Sequence, residues 1–565
     1  MTGRLIVVLL FLGLAALATS NETSPRVKTP LGAVKGYYKI SQNGKVYEAY
    51  EGIPYALPPI GKLRFKPPRP IPAWIGELSA TKYGSMCIQY AQISKDPTEK
   101  VEGSEDCLYL NIYVPVREKT ENKLPVFFWI HGGAFQYGSG DLYNAKYLMD
   151  DNVILVTINY RLGPMGFLST EDEVVPGNMG LKDQSMALRW VSENIEWFNG
   201  DPKRVTLLGL SAGGASVHYH YLSKMSAGLF KGGISFSGTA FDCWAQTKNA
   251  LEKTKKLSVL VGCPTTNSRE MIRCLRYRPS RTIVQATSEF MTFFYNPFSP
   301  FGPVPEKVGD DPFIDRTPIE IVNSNDVQDV PWITGVTSEE GLYPVAEFIV
   351  NDEALKYLND NWDRLGPEFL DFNYTILQEK KIEVARFIKE HYFGTRAIDR
   401  TTTRQLVKMT GDRFFVIDSE KAARMQAKVN KNPVWYYYFS YRGQRSLSDV
   451  MSGTTENFGV SHGDDVLYAL DTAWVDPTKT KEDRDMQRHL IDFWVSFATD
   501  GIAKMANVNW LKVDPSKKEL NYLHIAGPTK INMESNDNLG QKEFWNSIKF
   551  KENIMMLIQK RNKEL

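Results

Sequence analysis

Metal ligands are scarce and scattered in this chain. Its 565 residues include five cysteines and seven histidines, with no pair at metal-ligand spacing and no histidine cluster, so no metal and no cofactor is expected. Neither sign of charge is in excess: 67 Lys and Arg stand against 66 Asp and Glu, a net of +1. No local basic run supplies the footprint that nucleic acid requires. No Ser/Gly-rich or charge-rich linker and no internal repeat divides the chain, which favours one large domain with long insertions over a string of modules. Beyond the N-terminus no apolar run reaches about 18 residues, so no stable membrane insertion is expected.

The N-terminus itself is apolar in a different way. Arg4 precedes a 14-residue apolar core from Leu5 to Ala18 and the small-residue exit Ala18-Thr-Ser20, which is the layout of a secretory signal over residues 1–20 and is short for a membrane span. The expectation is a secreted, extracellular protein with a single domain over residues 21–565. The closing Arg561-Asn-Lys-Glu-Leu565 is only distantly like a retention signal, which makes the endoplasmic reticulum lumen the minor alternative. Export lets disulfides persist. Cys87 with Cys107 would close a loop 20 positions apart and Cys263 with Cys274 one 11 positions apart, leaving Cys243, beside Phe241 and Trp244, as a buried thiol. Asn21-Glu-Thr23 and Asn373-Tyr-Thr375 are glycosylation sequons.

Along the chain, Ala33–Tyr50 alternates around Asn43-Gly44, predicting a hairpin, and the Pro- and Gly-dense stretch Gly52–Phe65 excludes a helix. Strand-like runs follow at 108–114, 124–130, 153–158 and 205–210, then at 232–237, 330–335 and 434–439. A helical stripe of Ala187, Trp190, Val191, Ile195 and Phe198 lies between two of them, and others fall at Leu490–Ala498 and 542–560. Strand alternating with helix is the mark of a mostly parallel sheet covered on both faces. Residues 345–426 read as mainly helical and interrupt the sheet; such an insertion either walls a site or adds core.

Chemistry enters at Gly209-Leu-Ser-Ala-Gly213. An apolar strand ending in this pattern is the signature of a serine nucleophile on a sharp strand-to-helix turn, the small glycines allowing strand and helix to approach. A second strand-like run, Leu124–Ile130, leads into His131-Gly-Gly-Ala-Phe135, bare backbone suited to stabilising an oxyanion. A serine hydroxyl needs a base, and the base a carboxylate. In this strand–helix architecture the partners follow the serine in the order acid, then histidine, which removes His131. His218 and His220 lie on the helix just after Ser211, too local to swing over it. Of the others, only His462 sits in a small flexible loop, Gly459-Val-Ser-His-Gly-Asp-Asp465. For the acid, Gly335-Val-Thr-Ser-Glu-Glu-Gly341 follows a strand and offers Glu339 or Glu340, which the residues alone do not separate. Asp464 and Asp465 follow the histidine too closely to reach its remote nitrogen.

With these residues in view the chain resembles the type-B carboxylesterase and cholinesterase family, and within it the secreted insect carboxylesterases. The likeness covers essentially the whole mature chain: Glu51-Gly-Ile-Pro-Tyr-Ala56, Leu63-Arg-Phe65, Glu105-Asp-Cys-Leu-Tyr-Leu-Asn111, Asn159-Tyr-Arg-Leu-Gly163, Asn178-Met-Gly-Leu-Lys-Asp-Gln184 and the serine block. It implies an α/β-hydrolase fold, a large mostly parallel central sheet with helices on both faces and helical insertions forming a gorge. It implies both cysteine pairs, Ser211 as nucleophile, Glu340 as acid, His462 as base, and the amides of Gly133, Ala134 and Ala212 as oxyanion donors.

Many members carry glycine where Ala134 stands, a methyl group that narrows the space beside the ester. The segment Ile88–Asp106 lacks the tryptophan by which cholinesterases hold a quaternary ammonium, which argues against choline esters. Phe241, Trp244, Phe298 and Phe301 are candidate apolar walls or ordinary core. The expected reaction is hydrolysis of small to medium apolar esters, as in detoxification or odorant and pheromone degradation. Two alternatives stand beside it. One is a juvenile hormone esterase-like hydrolase, although Leu210 replaces the glutamine usual there; the other is a non-catalytic adhesion or scaffold protein of the same fold. A small-molecule ester is the expected partner, and monomer and homodimer are both open.

Overall fold

The computed structural model describes residues 24–92, 100–117 and 122–551. The predicted signal, Asn21 and the Arg561–Leu565 tail lie outside the described residues. The central sheet has eleven strands: β1 Tyr37–Ile40, β2 Val46–Pro54, β3 Tyr109–Pro115, β4 Leu124–Ile130, β5 Ile154–Ile158, β6 Gly200–Leu210, β7 Gly232–Phe236, β8 Trp332–Thr337, β9 Val434–Phe439, β10 Leu520–Gly527 and β11 Lys530–Asn536. Their spatial order is 11-10-9-8-7-6-4-5-3-2-1. The block from β10 to β5 is parallel throughout, and β11 at one edge and β3, β2 and β1 at the other run antiparallel.

Parallel strands between helices are buried on both faces and so read as unbroken apolar runs. β4, β5 and β7 have no exposed residue. Alternate residues serve opposite faces: Phe128 and Ile130 join one core, Phe127 and Trp129 the other. On the second face Trp129 stacks on Trp494 at 6.3 Å, carried by the helix Lys481–Asp500, whose Leu490, Phe493, Trp494 and Phe497 form the expected stripe. Each such ring is worth about 2–3 kcal/mol of burial.

The expected hairpin forms with Ile40 opposite Val46. Of the expected stripe over 542–560, Lys542–Ser547 is helical and Ile548 turns to an extended conformation; residues 552–560 lie outside the described residues. The pair β10 and β11 has no counterpart among the expected strands, since the alternation of Leu520–Gly527 sits in a polar, Pro-containing context.

The shared motifs become joints. Arg161 grips Asp183 through two 2.7 Å contacts, both side chains buried. Arg64 pairs with Glu105 and caps the carbonyls of Leu275, Arg276 and Arg278. That joint ties the loop closed by Cys87–Cys107, which holds Glu105, to the end of the helix Ser268–Tyr277 just past Cys274; the Cys87–Cys107 and Cys263–Cys274 disulfides are both formed. Cys243 is a buried free thiol, pushed well up by desolvation. Asn373 is half-buried and bonded through its amide to Glu368 and Lys381.

Two long insertions rise over the C-terminal ends of the parallel strands, Ser237–Pro331 between β7 and β8 and Ser338–Pro433 between β8 and β9. Among the described residues no helix is long and apolar enough to cross a membrane.

Candidate active site

β6 ends at Leu210, and Ser211 turns the chain into the helix Ala212–Tyr221 with φ +59° and ψ −123°. A non-glycine residue held there is strained, and the surroundings impose it. A Cβ on Gly209 would fall 2.3 Å from the Gly213 carbonyl, and one on Gly213 2.0 Å from Ile130 O, so only glycine permits this crossing. The Ser211 amide donates to Phe236 O at 2.8 Å.

Beside it, Gly132 has no room for a Cβ, which would lie 3.1 Å from Ser211 Cβ. The chain then runs through positive φ at Gly133 (+106°), Ala134 (+54°) and Phe135 (+61°), coiling the loop tightly against the serine. Among the described residues the amides of Gly133, Ala134 and Ala212 donate to no backbone carbonyl. That of Ala212 opens a helix, where intrahelical acceptors are lacking.

The carboxylate and the imidazole are joined. His462 Nδ1 is 2.6 Å from Glu340 Oε2, and Glu340 Oε1 accepts the Ser237 hydroxyl at 2.5 Å and the Thr337 amide at 2.6 Å. Glu340 is 1% exposed, His462 and Ser211 each 6%. Oriented through Nδ1, the ring keeps Nε2 without a hydrogen-bond partner. The histidine loop rests on the serine turn, since a Cβ on Gly463 would touch Leu210 Cδ2 at 3.0 Å.

The two adjacent glutamates thus separate. Glu339 turns the other way and accepts the Val460 amide at 2.7 Å. Asp464 closes the histidine loop by accepting the amides of Leu447 and Ser461, each at 2.8 Å, while Asp465 accepts the Tyr437 hydroxyl. Burial pushes Asp464 up to about 7 and Asp465 up to about 6.

The other interior histidines are engaged in the core. Burial lowers His131 to about 4 and His218 and His220 to about 3. His131 stacks on Tyr160, His218 stacks on Trp332, and His220 lies between Ser226 and Gln184. Among the described residues no group of three His, Cys, Asp or Glu side chains is placed to hold a metal ion.

A closed circuit of aromatic rings includes the imidazole. It passes from His462 to Phe415 at 4.4 Å, Trp244 at 5.8 Å, Phe298 at 5.7 Å, Tyr343 at 5.4 Å and back to His462 at 5.3 Å. Of the four aromatic candidates, Trp244 and Phe298 belong to it. Phe241 packs on His218 and Phe301 on Phe290, in the same core as Trp244 and Phe298. Tyr343 and Phe415 are additions that sequence reasoning does not supply. Tyr343 is three residues past the acid, a spacing that could have pointed to it; Phe415 comes from a π-helical turn, Asp412–Val416, an irregularity common at functional sites that no local pattern announces.

The same arrangement of elements is found in known proteins. The model of the Carboxylesterase family matches residues 23–545. Venom carboxylesterase-6 of Apis mellifera is 53% identical over 551 residues, covering 97% of this chain and 99% of that one. Juvenile hormone esterase of Tribolium castaneum is 36% identical over 93% of this chain and 94% of its own. The crystal structure of juvenile hormone esterase from Manduca sexta, with OTFP covalently attached, superposes with a TM-score of 0.82 at 28% identity, covering 93% of this chain and 99% of that one.

Proposed function

The chain belongs to the carboxylesterase family and is a serine hydrolase of carboxylic esters; on that basis we propose that Ser211, His462 and Glu340 carry the reaction. The observation that supports this most is the Nδ1 contact to Glu340, which leaves Nε2 without a partner, while the next residue, Gly463, lies against Leu210 in the strained turn that carries Ser211. His462 takes the hydroxyl proton as Ser211 Oγ bonds to the ester carbonyl carbon. The amides of Gly133, Ala134 and Ala212 receive the oxyanion, and losing one such donor typically costs about 3 kcal/mol in kcat. The imidazolium gives its proton to the departing alcohol, and Glu340 steadies its charge. Water, deprotonated by the same ring, then attacks the acyl-enzyme; the carboxylic acid leaves and Ser211 regains its proton.

For the substrate we propose small to medium apolar esters. The aromatic circuit offers dispersion and little for a peptide backbone to bond, and the Ala134 methyl narrows the space beside the carbonyl. A second reading, hydrolysis of juvenile hormone-type methyl esters, draws support from the likeness to the Tribolium and Manduca enzymes. Comparing kcat/KM across aryl, short aliphatic, long aliphatic and hormone-like methyl esters decides between them.

We further propose export on the segment 1–20, one catalytic domain over 21–565, and glycans at Asn21 and Asn373. The N-terminal sequence of protein recovered from culture medium, and its mass before and after glycosidase, test these three together.

A further inference from the structure

Two imidazoles among the described residues hydrogen-bond a serine hydroxyl, and neither belongs to the site of Ser211. His220 Nδ1 lies 2.6 Å from Ser226 Oγ, but both side chains are fully buried and the other ring nitrogen meets a neutral amide, Gln184. The second pair is different. Ser440 Oγ lies 2.7 Å from His524 Nε2, and His524 Nδ1 lies 2.7 Å from Glu534 Oε1. A hydroxyl, an imidazole and a carboxylate thus stand in the relation that a serine nucleophile needs.

Strand register brings the three together. Tyr522 and His524 share one face of β10, Tyr522 stands opposite Glu534 of β11, and Tyr438 of β9 lies beside His524. Ser440, two residues past Tyr438, puts its hydroxyl on that same face. Tyr522 donates to the second oxygen of Glu534 at 3.2 Å, and the Tyr438 ring lies 5.6 Å from the imidazole. The bond from His524 holds the Glu534 carboxyl below its ordinary value. The carboxylate is therefore ionised, Nδ1–H donates to it, and Nε2 is left to accept the Ser440 hydroxyl. The side chains of His524 and Glu534 are 23% and 45% exposed, against 7% for His462, so this relay is open to solvent.

We propose that Ser440, His524 and Glu534 form a second nucleophilic site, on the surface, that takes up an acyl group from small activated aryl esters. Ser440 Oγ bonds to the carbonyl carbon as its proton passes to His524 Nε2. The bond from that carbon to the aryl oxygen then breaks, and the phenol leaves with the proton. Glu534 steadies the imidazolium between the two steps. What differs from Ser211 is the setting of the oxyanion. The amide of Ser440 itself is taken by Ile525 O, and among the described residues that of Tyr441, the next residue, donates to no backbone carbonyl. That is one amide where Ser211 has three beside it. Each missing donor slows acyl transfer about 10²- to 10³-fold, so the acyl group arrives slowly and, for the same reason, stays. The site accepts acyl groups without being a second centre of turnover.

The test uses the full-length Ser211→Ala chain, which removes the faster reaction, with p-nitrophenyl acetate as the acyl donor. Peptide mass spectrometry follows the acetyl group on each serine with time. We expect Ser440 to be acetylated at least tenfold faster than any other serine. His524→Gln should slow that labelling at least tenfold. Glu534 acts through the ring as a positioning residue, so Glu534→Gln should slow labelling threefold or more and Glu534→Asp should restore part of the rate. Hydrogen bonds that only pin the strands together would shift the melting temperature of these variants and leave the labelling rate unchanged. Acetylation of Ser440 no faster than that of other serines, or a rate unchanged within twofold in His524→Gln or in Glu534→Gln, overturns the proposal. Should His524→Gln disturb the strands, the ranking of the serines in the Ser211→Ala chain decides by itself. Labelling at Ser440 is read without Ser211, so its outcome is independent of the catalytic reading of Ser211 and His462.

Discussion

The carboxylate of Glu339 accepts the amide of Val460 at 2.7 Å, two residues before His462, while the carboxylate of its neighbour Glu340 meets His462 itself. One glutamate holds the loop and the next orients the ring. A Cβ on Gly459 would fall 2.6 Å from Glu339 Cδ, so the loop lies directly on that side chain. Glu340→Gln should lower kcat about 10⁴-fold, as when an orienting carboxylate is neutralised elsewhere. Glu339→Gln keeps an oxygen for the Val460 amide and should cost tenfold or less. Parallel kcat measurements on the two variants check the assignment, and equal losses would remove the distinction.

Ser211→Ala should leave the fold intact, since alanine adds no atom to the turn, and should reduce ester turnover at least 10³-fold. Organophosphate incorporation, read as a mass increment on the peptide containing residue 211, should vanish with it. Turnover above a few per cent of the parent would take the nucleophile away from this position.

The extent to which this site could be read in advance follows from which contacts are local. Gly209–Gly213 and the run into His131–Phe135 announce themselves because a strand must end in small residues wherever another backbone passes within van der Waals distance. Ser211 and His462 follow from chemistry and elimination. Glu339 and Glu340 do not separate on the residues alone, because which of two successive side chains faces inward depends on the bridge between Glu339 and Ser461, a contact made far along the chain. Resemblance to relatives supplies Glu340. The ring circuit is half legible for the same reason: Phe415 and Tyr343 reach His462 only through the packing of an insertion whose own periodicity reports helix and nothing about where it lands. The edge strand β11 escapes because most of its residues are polar and exposed, and β10 beside it because its short alternation lies among polar residues and runs into Pro528.

Ala134 holds a left-handed backbone conformation, φ +54°, where glycine is at ease and alanine is not. Ala134→Gly keeps the amide donor and removes the methyl. The expected outcome is a rise in kcat/KM for bulky branched esters relative to acetate-sized ones, by about tenfold. Stability should move by no more than about 1 kcal/mol, because relief of strain and the greater freedom of the unfolded chain oppose each other. A ladder of branched acyl esters together with a thermal melt measures both.

Arg64 is buried against Glu105 and three carbonyls at the end of a helix more than two hundred residues away. Replacing it by methionine fills much of the volume but strands one carboxylate and three acceptors. The expected cost is about 3–5 kcal/mol, the usual consequence of breaking one side of a buried pair. Opening Cys87–Cys107 with serines should cost about 3 kcal/mol for a loop of this length. Denaturant unfolding of each variant, and of the two combined, should give a sum larger than the joint effect, because Glu105, the partner of Arg64, sits in the loop that the disulfide closes.

Glu347 supplies the pH dependence. Its carboxyl has an ordinary value of 4.5 and is pushed up to about 8 in the folded protein by desolvation, with Lys100 acting against the shift. Between those values the unfolded chain has released a proton that the folded chain still holds. Rising pH therefore favours unfolding across this window, the reverse of a salt-bridged carboxylate. The contribution is fully present below about pH 4.5 and is lost as pH climbs to 8. Glu347→Gln has no such proton to lose. The melting temperature of the parent should consequently fall relative to that of Glu347→Gln from about pH 5 to about pH 8 and run parallel to it above about pH 9. A constant difference across the whole range would mean that water or a nearby cation already solvates the carboxylate in the folded state.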